Sequence, residues 1–367
     1  MRILVAPDAF KGTLDADEVA LAIASGWRRA RPNHDLQLKP LSDGGPGFVR
    51  AMALAHGVPL RELRARHSLG GVVDARWTLS GDTAYLESAQ VVGLSRGLDV
   101  LAAHSSGVGE LLLAALDAGA RRVVLGLGGT NVTDAGAGLL SSLGAIAVSA
   151  VGDPVPLDRG PLPLARVTAV DLGRPLARLA GVDVVVASDV DVPLLGPRGA
   201  VFGFAAQKGA SDEQLPELEA ALAAFADACG RRGDGRDAAV MLGSGAAGGL
   251  GFSLLRLGAR RLPGIDLVWD ESGIDLTDVD LVITGEGSLD WQSLQGKVIS
   301  GVARRAQERG IPVIAIAGRV VITPRERVDM GLDAAYSVSE MFGESRSLGE
   351  PAQALADAAE RLVRTWG

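Results

Sequence analysis

The sequence predicts an α/β protein of two domains, one assembled from both ends of the chain and the other inserted between them. Three observations carry that prediction. The chain has 367 residues, more than a single core usually holds. Short apolar runs alternate with amphipathic helical patterns at both ends. Between them the pattern switches to two alternating strands joined by turn residues.

The elements follow in order. "RILVA" is a buried strand. "LDADEVALAIASGWRRA" is a helix, with Asp15 and Glu18 at capping-box spacing and Val19, Ile23 and Trp27 on one face. "LQLKPL", "SDGGPG" and "FVRAMALA" repeat the strand, loop, helix order, so that Asp43 also sits just behind a strand. Two such loops share one edge of a parallel sheet, where open α/β sheets bind ligands. From residue 72, "VVDARWTL" and "TAYLE" flank "SGD" and read as an antiparallel hairpin. The helix "GELLLAALDAG", the strands "RRVVLGLGG" and "VDVVVAS", and a helix opened by Ser211 and Gln214 continue the inserted part. The strand, helix, strand order resumes near residue 279 with "DLVITGEGSLD", "LQGKVISGVARRAQERG" and "IPVIAIAG", and ends in the helix "AQALADAAERLVRTW". The boundaries are 1–71 plus 275–367 for the first domain and 72–274 for the insert, with the loops gathered in a cleft between them.

Composition narrows the function. The net charge of −8 and pI near 5.2 argue against nucleic acid or an anionic membrane as partner, since either needs a basic face. One cysteine, Cys229, excludes a disulfide framework within the chain, and a reducing cytoplasm is the simplest compartment. No apolar run has the length of a membrane span, and no signal-peptide pattern opens the chain. His34, His56, His67 and His104 lack metal-site spacing. Nothing in the sequence specifies oligomeric state, so a homo-oligomer stays open.

Five segments concentrate glycine with charged residues: "PDAFKG", "SDGGPG", "GLGGTNVTDAGAG", "SDVDVPLLGPRGAVFGFAAQKG" and "TGEGSLDWQSLQGK". Glycine lets backbone N–H groups approach an anion, and a helix N-terminus adds partial positive charge. Carboxylates beside them suit Mg²⁺ or a general base. Lys11, Lys208, Lys297 and Arg198 supply the positive charge that an acidic protein needs to meet phosphate. Singly, each loop reads as a tight turn with Asp as a helix N-cap. Together they point to phosphoryl transfer, which rests on positioning and charge neutralisation. A rival motif, "GSGAAG" at 243–248, fits G-x-G-x-x-G behind the apolar "AAVML", with Asp266 at the distance of a ribose-binding acid, and would make the protein an NAD-dependent oxidoreductase. In a chain with 49 glycines so short a pattern arises readily by chance. No complete Walker A sequence and no G-x-S-x-G elbow occur.

"APDAFKG", "PLSDGGPG", "LGLGGTNVTDAGAGLL", "ASDVDVPLLGPRGA", "AAQKGA", "GSGAAGGLGF" and "LVITGEGSLDWQSLQGKV" stand in the order that resembles bacterial glycerate kinases of the glycerate 2-kinase type. The resemblance spans essentially the whole chain. It implies ATP and Mg²⁺ as cofactors, D-glycerate as acceptor, and a Rossmann-like domain from both chain ends with an inserted α/β domain. Carried over by residue, it implies Lys11 and Lys208 as phosphate or carboxylate contacts and Asp43 or Asp189 as the base for the glycerate hydroxyl. It places Asp191, Glu286 and Asp290 near the metal. Asp8, Gly12, Gly44, Gly45, Gly128, Gly129, Asp134, Arg198, Gly285, Glu286 and Lys297 are the candidates for substrate or nucleotide binding, roles that the family pattern alone does not assign. Pro46, Phe48, Val132, Thr133, Ala135 and Val192 depart from the family pattern, which leaves a related hydroxy acid as acceptor, or a non-catalytic acid-binding relative, as alternatives.

Overall fold

The computed structural model describes residues 1–294 and 298–367. They form two compact units, 1–43 with 50–55 and 265–367, and 44–49 with 56–264. The fold is mixed α/β with parallel sheets.

The first unit is built on five strands in the order Ala334–Ser337, Val313–Ala317, Leu281–Thr284, Arg2–Val5, Asp35–Leu38, every neighbouring pair parallel. Their apolar runs lie on the inside: Ile3, Val5, Leu281, Ile283, Ile314 and Ile316 are all fully buried, as expected of parallel strands covered by helices. The helix Ala16–Ala30 starts where the capping residues put it, with the Asp15 N–H donating to Glu18 Oε2 at 2.8 Å. Its buried face carries Val19, Ile23 and Trp27 and packs on the helix Pro351–Trp366. The packing is backbone-close at Gly26, where a Cβ would fall 1.8 Å from the carbonyl oxygen of Ala356. From Arg2–Val5 the chain steps to Asp35–Leu38 on one side, and the C-terminal strands extend the sheet from Leu281–Thr284 on the other. The direction of winding therefore reverses between Arg2–Val5 and Leu281–Thr284.

The larger sheet of the second unit has six strands in the order Arg260–Leu262, Asp183–Ala187, Arg122–Gly126, Thr83–Glu87, Val72–Ser80, Leu60–Arg66. The first four are parallel and the last two antiparallel. The hairpin expected across "SGD" is present as Val72–Ser80 paired with Thr83–Glu87. Leu60–Arg66, which sequence patterning left unassigned, pairs with Val72–Ser80 from Leu60↔Thr78 to Arg66↔Val72. That pairing carries residues 56–71 into the second unit, so the sequence boundary at 71/72 falls inside a strand pair. Residues 265–274 lie with the first unit. Among the described residues no helix is long and apolar enough to cross a membrane.

Candidate active site

In an open α/β sheet the loops leaving the two strands at the point of reversal splay apart and leave a crevice beyond their carboxyl ends. Here those loops are "PDAFKGTL" after Arg2–Val5 and "GEGSLD" after Leu281–Thr284. They are tied together at the root: the Asp8 N–H donates to the Gly285 carbonyl at 2.8 Å, and Thr284 Oγ1 donates to the Ala6 carbonyl at 2.9 Å. Gly285 is required here, since a Cβ would stand 2.1 Å from the carbonyl oxygen of Ile316. Gly12, with φ +87°, turns the first loop in the left-handed region that favours glycine. Beyond the root lies a cavity of about 400 Å³, with Asp8, Lys11, Glu286, Asp290, Arg319 and Glu344 in its wall.

Charge in this wall is crowded. Asp8 is buried, and burial first, then the nearby Asp43 and Glu286 carboxylates, push its pKa up to about 8 against the opposing pull of the Ala9 N–H and Lys11. Among the described residues its side chain accepts one hydrogen bond, from the Ala9 N–H at 2.7 Å. A carboxyl so placed carries its proton at neutral pH and yields it when a cation arrives.

The wall fits Mg²⁺ and a polyphosphate. Its donors are hard carboxylate oxygens, and the crowding that raises Asp8 is relieved by a divalent cation. Among the described residues no three His, Cys, Asp or Glu side chains form a ready cage, and of the expected metal carboxylates Glu286 and Asp290 belong to the first unit and Asp191 to the second. Mg²⁺ needs no cage: it keeps several waters and binds through one or two carboxylates plus substrate phosphates.

The structure thus gathers Asp8, Lys11, Glu286 and Asp290 on one cavity, with the charge of Asp43 acting on Asp8, and Gly12 and Gly285 shaping the loops. The other expected residues except Lys297 lie in the second unit. The Gly44 carbonyl accepts the Gly128 N–H at 3.2 Å, a Cβ on Gly128 would stand 2.5 Å from Gly45 Cα, and one on Gly129 would stand 3.0 Å from Pro46 Cδ. These four glycines let two loops pack backbone to backbone. Asp134, expected as a ligand contact, is fully buried and accepts four hydrogen bonds from protein donors, Ser105 N and Oγ, Gly136 N and Gly138 N. Lys208 is buried as well: Nζ donates to the Val132 carbonyl at 2.6 Å, and burial lowers its pKa to about 8 against the pull of Asp134. Asp189 Oδ1 accepts the Gly264 N–H at 2.7 Å, Asp191 pairs with Arg261, and Arg198 is exposed. Lys297 lies outside the described residues.

The dinucleotide motif is closed by packing. "AAVML" gives no strand, only a 3₁₀ turn over Ala238–Val240. A Cβ on Gly243 would stand 2.3 Å from Arg261 Cδ, on Gly245 2.2 Å from the Pro193 carbonyl oxygen, and on Gly248 1.9 Å from the Val132 carbonyl oxygen. These glycines make room for neighbouring backbone and side chains of the protein itself.

Sequence patterning missed Glu87, buried at the carboxyl end of Thr83–Glu87. Its Oε2 accepts the N–H groups of Gly47 and Val49 at 3.0 and 3.3 Å, and burial raises its pKa to about 7. The available signal was a lone carboxylate closing the apolar run "TAYL".

The family model described as glycerate kinase family matches residues 3–367. An uncharacterised protein of Mycobacterium bovis is 42% identical over 378 residues, covering 99% of this chain and 89% of its own length. The glycerate 2-kinase of Escherichia coli is 36% identical, with 99% of this chain and 96% of that protein covered. The crystal structure described as a glycerate kinase 2 of Salmonella typhimurium LT2 superposes with a TM-score of 0.85 at 36% identity, covering 100% of this chain and 98% of that one.

Proposed function

The chain belongs to the glycerate kinase family, and from that premise we propose that it transfers the terminal phosphoryl group of ATP to the 2-hydroxyl of D-glycerate, with Mg²⁺ as metal. The observation that carries the reading is the meeting of Asp8, Lys11, Glu286 and Asp290 on two loops at the point of strand reversal. When bound, MgATP supplies the electrophilic phosphorus. Asp8, having given up its own proton when the cation binds, then takes the proton of the attacking hydroxyl, with the Asp43 carboxylate beside it favouring that uptake. The base thereby moves from Asp43 or Asp189 to Asp8. Lys11 would meet the charge that spreads over the transferring oxygens, and Glu286 and Asp290 are the carboxylates that would hold the metal, which would neutralise that charge.

A coupled ADP-release assay tests the reading, with Mg-ATP, D-glycerate, a panel of related hydroxy acids and an acceptor-free control, and with phosphorus NMR of the product. ADP release that depends on D-glycerate, with the phosphorus coupled to the C2 proton, is expected. Release only with another hydroxy acid transfers the assignment to that acid, and none across the panel overturns it.

A further inference from the structure

The N-terminus of the helix Phe48–His56 stands behind the glycine loop "SDGGPG", the arrangement that in many α/β proteins receives a phosphate. Here a side chain fills it. Glu87 Oε2 accepts both Gly47 N–H and Val49 N–H, and Oε1 accepts Gln90 Nε2 at 3.2 Å, so the carboxylate is held on both oxygens. Gln90 is fixed in turn, its Oε1 accepting the Arg76 N–H at 3.2 Å. Glu87 is 2% exposed. A buried carboxylate on neutral donors alone is costly to keep, and an apolar residue would cap a sheet strand more cheaply. The titratable groups on the same face are Tyr85 and His56, which bond each other at 2.9 Å. No ion pair joins Glu87 to a cation among the described residues.

We propose that Glu87 is a positioning residue for the phosphoryl transfer: its carboxylate takes the place of an anion at this helix N-terminus and fixes the Gly44–Val49 segment, which follows directly on Asp43 in the chain. The proposal rests on the kinase reading above. It assigns the nucleotide's phosphates to the Lys11 loop, because the helix N-terminus is already taken. The Gly128 N–H donated to the Gly44 carbonyl holds the start of the segment, where a Cβ on Gly44 would stand 2.9 Å from the Ala187 carbonyl oxygen, and Glu87 holds its end.

The test compares wild type with Glu87→Ala and Glu87→Gln. Glu87→Ala should lose on the order of 100-fold in kcat while KM for both substrates moves less than about threefold, the pattern of misplaced rather than missing contacts. Formate at high concentration should restore a large part of that kcat by reseating a carboxylate. Glu87→Gln, which keeps one acceptor, should fall between. Independently of turnover, the Gly47 and Val49 amide resonances should titrate in wild type with a midpoint near pH 7, and in Glu87→Gln should not. Wild-type kcat in folded Glu87→Ala overturns the proposal. So does a deficit that formate leaves unchanged and that Glu87→Gln shares in full. Should Glu87→Ala fail to fold, Glu87→Gln and the amide titration decide it, and amides that ignore pH overturn it. A wild type silent with D-glycerate and Mg-ATP refutes the kinase reading itself, whereas an active wild type with an equally active Glu87→Ala refutes only the role of Glu87.

Discussion

Removing the Asp134 carboxylate should cost stability, whereas a ligand contact would cost affinity. Oδ2 accepts Ser105 N at 2.8 Å, Ser105 Oγ at 2.7 Å and Gly138 N at 3.1 Å, and Oδ1 accepts Gly136 N at 3.1 Å. Gly136 and Gly138 open the helix Ala137–Leu143, and Ser105 precedes the helix Ser106–Asp117, so one carboxylate serves the N-termini of both. Asp134→Ala strips three backbone N–H groups of their acceptor in a site with no solvent access. At roughly 1–3 kcal/mol for each orphaned donor, the loss is at least about 3 kcal/mol, a large share of a typical domain's stability. Asp134→Asn keeps one oxygen for the three donors at Oδ2 but turns an NH₂ toward Gly136 N–H. It should cost about 2 kcal/mol, the worth of one charge-assisted hydrogen bond. Urea unfolding monitored by circular dichroism measures both, with the slope checked against wild type so that a change in midpoint reads as stability. An Asp134→Ala protein with wild-type stability and weakened substrate binding would refute the reasoning and return Asp134 to the ligand site.

Two further predictions concern charge. Asp8 and Glu87 are raised in the folded state, from 3.8 to about 8 and from 4.5 to about 7, so the stability they contribute is full below their unfolded pKa and is lost as pH rises through the folded one. His34 and His104, lowered by burial, act in the opposite sense below pH 6.5, and Lys208, lowered to about 8, acts above that pH. Between pH 6.5 and 8 the carboxyls therefore dominate, and the unfolding free energy of the ligand-free protein should fall by roughly 1–2 kcal/mol, read from urea midpoints; a flat or rising profile contradicts the assignment. Lys11→Ala should leave the melting temperature within about a degree, because the side chain is exposed, and should lower kcat/KM on the order of 100-fold. A variant with full kcat/KM removes Lys11 from the site.

What could be read in the sequence, and what could not, divides along a physical line. Strands and helices that bury one face announce themselves: Val19, Ile23 and Trp27 recur at helical spacing, and all three are fully buried. Leu60–Arg66 did not, because only Ala65 of its seven residues is buried and Arg61, Glu62 and Arg64 stand in the open; an edge strand guarded by charge carries no apolar alternation. Glycine loops were visible as loops, but a glycine that makes room for an anion and one that makes room for another backbone are the same letter. Gly128 and Gly248 are of the second kind, packed on Gly45 and Val132. The carboxylates divide in the same way. Asp134 and Asp8 both stand in glycine-rich loops, yet among the described residues Asp134 has four donors whereas Asp8 has one, together with two like charges nearby. Those donors come from residues as far as 29 positions away in the chain, which no local pattern encodes. A carboxylate supplied with four donors is at rest and stabilises the fold. One left with a single donor beside Asp43 and Glu286 is held in a state that folding alone does not favour, and a cation or a proton acceptor's role is what makes that state useful.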